Sequence, residues 1–176
     1  MIEVGLSLGS NLGDRRSFLE GALAALDGFR DVRVLACSRF YETEPVGPPP
    51  QGPYLNAVAK LETELAPAAL LSLLLELEAR AGRERGAVRN APRTLDLDLL
   101  LHGSTCLEED GLELPHPRMH ERAFVLEPLC EIAPDLVHPR LSETIRTLAA
   151  RVREPGKVRA LETNLGRRRT AWPSSP

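Results

Sequence analysis

Two aspartates separated by one residue have the clearest chemical meaning in this chain. Asp96 and Asp98 alternate with Leu95, Leu97 and Leu99, which is the period-two pattern of a β-strand. The leucines are therefore expected to face a core, and both carboxylates to project from the opposite face. Adjacent carboxylates repel each other unless a cation lies between them, and Mg²⁺ commonly binds one or two carboxylates together with phosphate oxygens. The pair leads to the hypothesis of a metal-dependent phosphoryl-transfer site, although two aspartates alone more often belong to an ordinary solvent-facing strand.

A cluster of arginines precedes the aspartate pair. Arg83, Arg85, Arg89 and Arg93 place four cations within eleven residues. An isolated run of this kind is usually a solvated loop. Beside two candidate Mg²⁺ ligands, however, it supplies the guanidinium groups that neutralise a polyphosphate. Arg93, at the head of the strand, can bind a phosphate through its planar fork.

Other candidate site residues have two interpretations each. Glu78 falls at or near the apolar stripe of a predicted helix, where we favour a position at the edge of the stripe over a ligand inside a pocket. Tyr54 and Phe124 are typical core residues, but a flat heterocycle would bind between two such rings, with Asn56 reading its polar edge. His116, between two prolines, is either a turn residue or a hydrogen-bond donor to phosphate.

Composition and charge limit the classes of function. The 176 residues suit one domain with a sizeable core, and the net charge of −3 argues against a nucleic-acid-binding protein. Three cysteines without metal-site spacing indicate free thiols in a reducing compartment. No segment has the length of a membrane span, and the N-terminus opens directly into a strand pattern. We therefore expect a cytoplasmic protein that binds neither nucleic acid nor membrane.

Apolar periodicity divides the chain into strands and helices. The expected elements are strand 2–8, helix 15–28, strands 32–41 and 54–63, helix 67–81, strand 94–101, a hairpin turn at 109–111, and helices 118–131 and 142–153. The order β-α-β-β-α-β predicts a ferredoxin-like, split βαβ α+β sandwich with an antiparallel sheet and an added C-terminal helical region. We expect one domain over 1–153 and a basic, flexible tail over 154–176. The turn at 9–14 lacks both G-x-G-x-x-G and a Walker lysine, so we interpret it as structural.

Several segments of the chain resemble the 6-hydroxymethyl-7,8-dihydropterin pyrophosphokinase family of folate biosynthesis. The most specific is Pro-Arg-Thr-Leu-Asp-Leu-Asp at 92–98. The matching segments occur in family order and cover roughly residues 1–150: they are Gly9–Gly13, Phe40–Thr43, Gly52–Ala57, Gly82–Arg83, Pro92–Asp98, Pro115–Pro117 and Arg122–Phe124.

The resemblance implies an activity and a set of site residues. The activity is transfer of pyrophosphate from ATP to 6-hydroxymethyl-7,8-dihydropterin with release of AMP, as in enzymes of the EC 2.7.6.3 type. Two Mg²⁺ ions would be held by Asp96 and Asp98, with Arg83 and Arg93 completing the catalytic set. The implied ATP contacts are Glu78, Arg83, Arg85, Arg93, His116 and Arg122. The implied pterin contacts are Thr43, Glu44, Val46, Tyr54, Asn56 and Phe124. Neighbouring folate-pathway enzymes are the protein partners that this resemblance suggests.

The chain departs from the family pattern just before the Pro-Arg-Thr string. Well-known members have an aromatic residue and a glycine where this chain has Asn90 and Ala91. The loop from Arg83 to Ala91 is expected to close over the site as a lid. With Asn90 and Ala91 at these positions, the resemblance does not extend to an aromatic contact from this lid to the pterin. Two other classes compete with the kinase interpretation. A nucleotidyltransferase would need a third acidic residue on a neighbouring strand, and a ferredoxin-like small-molecule binding module would not need the aspartates and arginines together.

Overall fold

A six-stranded antiparallel sheet lies at the centre of the computed structural model, which describes residues 1–45, 50–83, 91–152 and 157–162. The elements in this part of the chain are β1 (Ile2–Ser10), α1 (Arg15–Asp27), β2 (Val32–Cys37), β3 (Tyr41–Thr43), β4 (Tyr54–Thr63), α2 (Pro67–Arg80), β5 (Asp96–His102), β6 (Leu107–Glu109), β7 (Leu112–Leu114), α3 (Ala123–Ile132), α4 (Ile145–Arg151) and β8 (Val158–Ala160). Strands β6 and β7 form a separate hairpin. The mixed α/β architecture and the antiparallel sheet are confirmed.

The strand order brings three strand ends together. The central sheet runs β5-β1-β4-β3-β8, and β2 pairs with the second half of β4. Gly9, near the end of β1, lies opposite Asp96 on one side and Asn56 on the other. The start of β5, the end of β1 and the start of β4 therefore meet at one end of the sheet.

Helices cover both faces of the sheet. Leu6 and Leu8 of β1 belong to the core that also contains buried leucines of α1 and α2. On the opposite face, Val58 of β4 packs with the apolar residues of α3 and α4 in a second core. Because strand residues alternate between faces, β4 and β5 contribute to both cores, whereas the apolar residues of β1 belong to the first. The molecule thus has three layers, with the sheet in the middle.

A β-bulge in β5 marks the boundary of the second core. Leu99 lies opposite Leu6 and Leu101 lies opposite Gly5, so that Leu100 is an extra residue on this strand. Both Leu100 and Leu101 pack into the core below α3 and α4. Alternation before the bulge places the side chains of residues 96 and 98 on this same face, beyond the apolar part of the core.

Two predicted elements differ most from the structure in their bounds. The expected strand 32–41 is wrong as a single strand, because the side chain of Ser38 interrupts it: Ser38 Oγ accepts the N–H of Val58 at 3.0 Å and donates to the carbonyl of Arg39. The expected helix 118–131 begins only at Ala123. A 3₁₀ turn precedes it, and Arg122 has extended backbone with φ −111° and ψ 107°.

The expected flexible tail is wrong for part of its length. Val158 to Ala160 form β8, which pairs antiparallel with β3. A three-residue strand gives almost no periodic signal, and its stability comes from a partner far away in the chain. Residues 154–156 and 163–176 of the predicted tail lie outside the described ranges.

The described helices are all too short or too polar to cross a membrane.

Candidate active site

The aspartate pair projects from the start of β5 beside small residues of β1. Asp96 lies opposite Gly9, and Asp98 lies opposite Ser7. A Cβ atom at Gly9 would come within 3.0 Å of the side-chain oxygen of Asn56 and 3.8 Å of Asp96 Cβ. Glycine at this position leaves space directly above the strand between the aspartate and the amide. The predicted pairing of both carboxylates on one face is confirmed.

Asp96 is held by two arginines. Its Oδ1 atom lies 2.6 Å from Arg83 Nη1, and its Oδ2 atom lies 2.9 Å from Arg93 Nη1. All three side chains are about four-fifths buried, so the charges are little screened by water. Arg83 and Arg93 are therefore placed at the aspartate pair, as predicted, and each one neutralises a different oxygen of the same carboxylate.

Glu78 is inside the protein and not at the edge of its helix stripe. Its side chain is 3% exposed, its Oε1 atom accepts the backbone N–H of Leu97 at 2.8 Å, and it forms an ion pair with Arg83. The favoured edge position is thus wrong, because two partners from outside α2 satisfy the buried carboxylate. Glu78, Arg83 and Asp96 form one continuous charged network beneath the site.

Asn11 lies in the turn that the sequence indicated as structural, and it fixes Arg93. Its Oδ1 atom accepts the N–H of Arg93 at 2.8 Å, and its own N–H donates to the Arg93 carbonyl at 3.1 Å. Its side-chain nitrogen also donates to Gln51 at 2.7 Å. The turn after β1 therefore holds the segment that enters β5 in place through these hydrogen bonds. The only signal in the sequence was an asparagine in a glycine-rich turn at a strand end.

Asp98 is electrostatically different from Asp96. The cation paired with it is Arg122, whose Nη1 lies 3.8 Å from Asp98 Oδ2, and 39% of the Asp98 side chain is exposed. Partial burial and the adjacent Asp96 carboxylate raise the pKa of Asp98 to about 6. Among the described residues the Asp98 charge is only partly compensated, so a bound cation would stabilise it.

Arg122 and His116 border the pair on the α3 side. Burial lowers the pKa of Arg122, although Asp98 opposes this effect. The guanidinium carbon lies 5.6 Å from the centre of the Phe124 ring. Burial, and then the Arg122 charge, lower the pKa of His116 to about 4. Because His116 Nδ1 accepts the N–H of Arg118 at 3.1 Å, its neutral ring carries the proton on Nε2.

The predicted amide and the two predicted aromatic residues lie at two different places beside the aspartate pair. Asn56 is buried, and its Nδ2 atom donates to Thr43 Oγ1 at 2.6 Å, which turns its oxygen towards Gly9. Tyr54 precedes it on the same face of β4. Phe124, at the start of α3, is half-buried at the margin of the second core. The structure therefore brings Asn56 and Tyr54 close to Asp96 through Gly9, and Phe124 close to Asp98 through Arg122.

Some predicted site residues cannot be placed in this arrangement. Val46 and Arg85 lie outside the described ranges, as do Arg89 and Asn90 in the predicted lid. Glu44 is described and exposed, directly after β3.

Among the residues that the structure describes, the donor set available for a metal at this site consists of the two carboxylates. Over the described ranges, no group of three or more His, Cys, Asp or Glu side chains has an arrangement that could hold an ion. Two carboxylates leave most positions around a Mg²⁺ ion to water and substrate oxygens, which is the usual pattern for this ion. The chemistry of Asp96 and Asp98 fits a cation shared with a polyphosphate.

Comparison of the sequence with known families and proteins gives a consistent result. Residues 5–134 match the family model described as 7,8-dihydro-6-hydroxymethylpterin-pyrophosphokinase (HPPK). The chain is 43% identical over 152 residues to the 2-amino-4-hydroxy-6-hydroxymethyldihydropteridine pyrophosphokinase of Haemophilus influenzae, covering 85% of this chain and 94% of the relative. It is 45% identical over 134 residues to the protein of the same name from Pseudomonas aeruginosa, covering 76% and 82%.

Solved structures give the same fold at low sequence identity. A structure described as HPPK-DHPS in complex with substrates matches with a TM-score of 0.68 and 14% identity. The wild-type HPPK-DHPS of Plasmodium falciparum matches with a TM-score of 0.66 and 15% identity. Each match covers 85% of this chain, which spans less than half of those longer chains, 43% and 44% respectively.

Proposed function

This chain belongs to the 7,8-dihydro-6-hydroxymethylpterin-pyrophosphokinase family, and we propose that the aspartate pair of β5 is the centre of its reaction. The enzyme transfers pyrophosphate from ATP to 6-hydroxymethyl-7,8-dihydropterin in folate biosynthesis. The hydroxymethyl oxygen forms a bond to the β-phosphorus, the bond from that phosphorus to the α-phosphate oxygen breaks, and AMP leaves. The observation that carries the assignment to β5 is the meeting of Asp96 and Asp98 with Arg83, Arg93 and Arg122 at one end of the sheet.

Asp96 and Asp98 would hold the two Mg²⁺ ions of the proposed site. Bound Mg²⁺ would neutralise the phosphate charge and polarise the bonds to the β-phosphorus. The raised pKa of Asp98 supports this assignment, since burial and the adjacent Asp96 carboxylate disfavour its charge more than Arg122 at 3.8 Å favours it, and a bound cation would offset this cost. Asp96 is more fully paired, so its two arginines would be shared between the carboxylate and the phosphates when ATP is bound.

The arginines and His116 would orient the triphosphate. Arg83 and Arg93 are fixed from below by Glu78, Asp96 and the Asn11 turn, and a rigid guanidinium binds phosphate with little loss of entropy. Burial disfavours the charged form of Arg122. A bound anion would offset this cost, so the position of Arg122 also favours phosphate. A neutral His116 contributes a hydrogen bond from Nε2 without adding charge. Arg85 and Glu78 complete the proposed set of residues for ATP, Glu78 through Arg83.

The pterin is assigned to the subsite of Asn56 and Tyr54. The Asn56 oxygen faces the space above Gly9, where it would accept hydrogen bonds from the amino and ring N–H groups of the pterin. Tyr54 and Phe124 are proposed to contact the two faces of the ring. The other proposed contacts are Thr43, Glu44 and Val46. This placement would set the hydroxymethyl group towards Asp96 and so select the β-phosphorus by position.

Two further assignments concern the fold and its partners. The order β5-β1-β4-β2 in the sheet, with two crossing helices on one face, supports the ferredoxin-like split βαβ arrangement. The solved neighbours carry HPPK and DHPS in one chain, and the Schizosaccharomyces pombe relative at 41% identity is a folic acid synthesis protein of which this chain covers 18%. We propose neighbouring folate-pathway enzymes as partners of this protein.

Product analysis tests the proposed chemistry. The protein is incubated with ATP and 6-hydroxymethyl-7,8-dihydropterin, with and without Mg²⁺, and nucleotides and pterins are separated. AMP should appear one-for-one with pterin diphosphate, and neither should form without Mg²⁺ or pterin. ADP in place of AMP would mean transfer of a single phosphoryl group. Absence of any nucleotide product would favour a binding module.

A further inference from the structure

We propose that β8 is a positioning element for pterin binding and not the beginning of a loose tail. This inference rests on the proposed function, because it takes Thr43 and Asn56 as pterin-subsite residues. Strand β8 lies well beyond residue 134, where the match to the family model ends. Three observations connect it to the subsite: backbone pairing with β3, a chain of charged contacts, and a shared cavity.

Strand β8 converts β3 from an edge strand into an internal one. Arg159 lies opposite Glu42, and the N–H of Leu161 donates to the carbonyl of Phe40 at 2.8 Å. Strand β3 has only three residues, and without β8 its outer backbone groups would be unpaired. Short edge segments open locally at a small fraction of the global unfolding free energy. Pairing with β8 therefore restricts the movement of β3.

A chain of charged contacts runs from β8 to the segment before β4. Glu42 Oε2 lies 2.6 Å from Arg159 Nη2, and its Oε1 atom lies 3.0 Å from Arg15 Nη2. Arg15 Nη1 donates in turn to the Pro53 carbonyl at 2.7 Å. Hydrogen bonds from Arg159 and Arg15 lower the pKa of Glu42, so this carboxylate stays charged at neutral pH. Strands β8 and β3, helix α1 and the entry to β4 are thereby joined.

Strand β3 also supports the side-chain amide of Asn56, which is proposed to bind the pterin. Thr43 accepts the hydrogen bond that orients Asn56, and it pairs with Tyr54 across the ladder. A cavity of about 540 Å³ borders this strand, and residues on its wall include Thr43, Glu44, Gln51, Pro53, Lys157 and Arg159. A shift of β3 would move the Thr43 hydroxyl and change the direction of the Asn56 amide. Strand β8 thus acts on the pterin through β3, while the phosphate side of the site depends on other elements.

Proline substitution separates backbone pairing from side-chain effects. Leu161→Pro removes the N–H that pairs with Phe40. Ala160→Pro introduces the same ring one residue earlier, where the alternation of an antiparallel ladder turns the N–H away from β3. Leu161→Ala shortens the side chain and keeps the N–H. Each variant is made in the full chain.

Steady-state kinetics measure the KM for each substrate, and hydrogen exchange measures the local opening of β3. In Leu161→Pro, the KM for the pterin should rise roughly tenfold, as expected for loss of one backbone hydrogen bond, while the KM for ATP stays within about twofold. Amide exchange in residues 41–43 should accelerate in the same variant. Both controls should remain within about threefold of the wild type in pterin KM. Equal pterin KM values in the two proline variants, or a parallel rise of both substrates' KM values, would overturn the proposal.

Arg159→Ala provides a milder test that leaves the backbone intact. It removes the contact with Glu42 at an exposed position, so the pterin KM should rise about two- to threefold. An unchanged pterin KM with unchanged exchange in β3 would contradict the role of β8. Failure of the proposed function is recognised separately, since the wild-type protein would then form no AMP. In that case, exchange in β3 still reports whether β8 restrains this strand.

Discussion

At the scale of single residues, the two aspartates of β5 are not equivalent. Asp96 has an arginine on each oxygen, whereas Asp98 has Arg122 at 3.8 Å and a pKa raised to about 6. The fold therefore tolerates the charge of Asp98 rather than depending on it. A residue whose charge does not stabilise the fold but faces a set of arginines is best explained by a ligand.

Removal of the Asp98 charge should abolish turnover and leave the fold intact. In Asp98→Asn, we expect kcat to fall by at least about 100-fold, because a metal ligand is lost. The melting temperature should be unchanged or slightly higher, since a repulsion with Asp96 is removed. Asp135→Asn, at a surface position paired with Arg146, is the matched control and should retain full activity. An active Asp98→Asn enzyme would contradict the role of the pair.

His116 should contribute to the pH dependence of stability. Its pKa is about 4 in the folded state and about 6.5 when unfolded, so the unfolded state binds more protons between these values. This residue therefore lowers the free energy of unfolding as the pH falls from 6.5 to 4. In His116→Gln, that decline should be shallower by at most about 1.4 kcal/mol per pH unit.

Urea unfolding at a series of pH values measures this difference. At pH 8, where histidine is neutral in both states, the pH-dependent contribution of His116 is absent from both proteins. Their difference at pH 8 is therefore the baseline. Parallel curves below pH 6.5 would show that His116 is protonated alike in the folded and unfolded chains.

At the scale of elements, the site is assembled where β1, β4 and β5 meet. The Asn11 turn after β1 holds the entry to β5, and α2 contributes Glu78 to the backbone of the same strand. The aspartates, by contrast, face the side of the sheet that α3 covers. The cations around them therefore come from segments on both sides of β5, and their positions depend on how the helices pack.

Glu78 should be required for stability as well as for the position of Arg83. In Glu78→Gln, loss of the buried charge should lower the free energy of unfolding by about 1–3 kcal/mol, because Arg83 loses one of the two carboxylates that pair with it in the described part of the chain. Glu76→Gln, on the exposed side of α2, should change it by less than about 0.5 kcal/mol. Chemical denaturation of both variants makes the comparison. Equal stabilities would mean that the buried network carries no net energy.

At the scale of the whole molecule, local patterns predicted the elements with strong periodicity. The strand 54–63 was predicted with its observed bounds, because its leucines and alanines alternate in the sequence as they do in the structure. The aspartate pair followed from the same alternation in β5. Glu78 could not be placed from the pattern of α2 alone, since its partners Arg83 and Leu97 lie outside that helix.

Contacts between distant segments were beyond the reach of these patterns. Strand β8 exists because it pairs with β3, and the ion pair between Arg159 and Glu42 joins residues 117 positions apart. Asn11 has the same character, because its role becomes visible only when the turn after β1 meets Arg93. The composition of each segment indicated its secondary structure, but the site depends on which segments the sheet order brings together.

Transfer of label from the β-phosphate of ATP tests the central claim most directly. ATP carrying ³²P at the β position is incubated with Mg²⁺ and 6-hydroxymethyl-7,8-dihydropterin, and the radioactivity of nucleotide and pterin fractions is followed. We predict that the label moves into the pterin in step with AMP formation, and that Asp98→Asn shows neither change. Label retained in ADP, or released as free pyrophosphate while AMP forms, would contradict pyrophosphate transfer at this site.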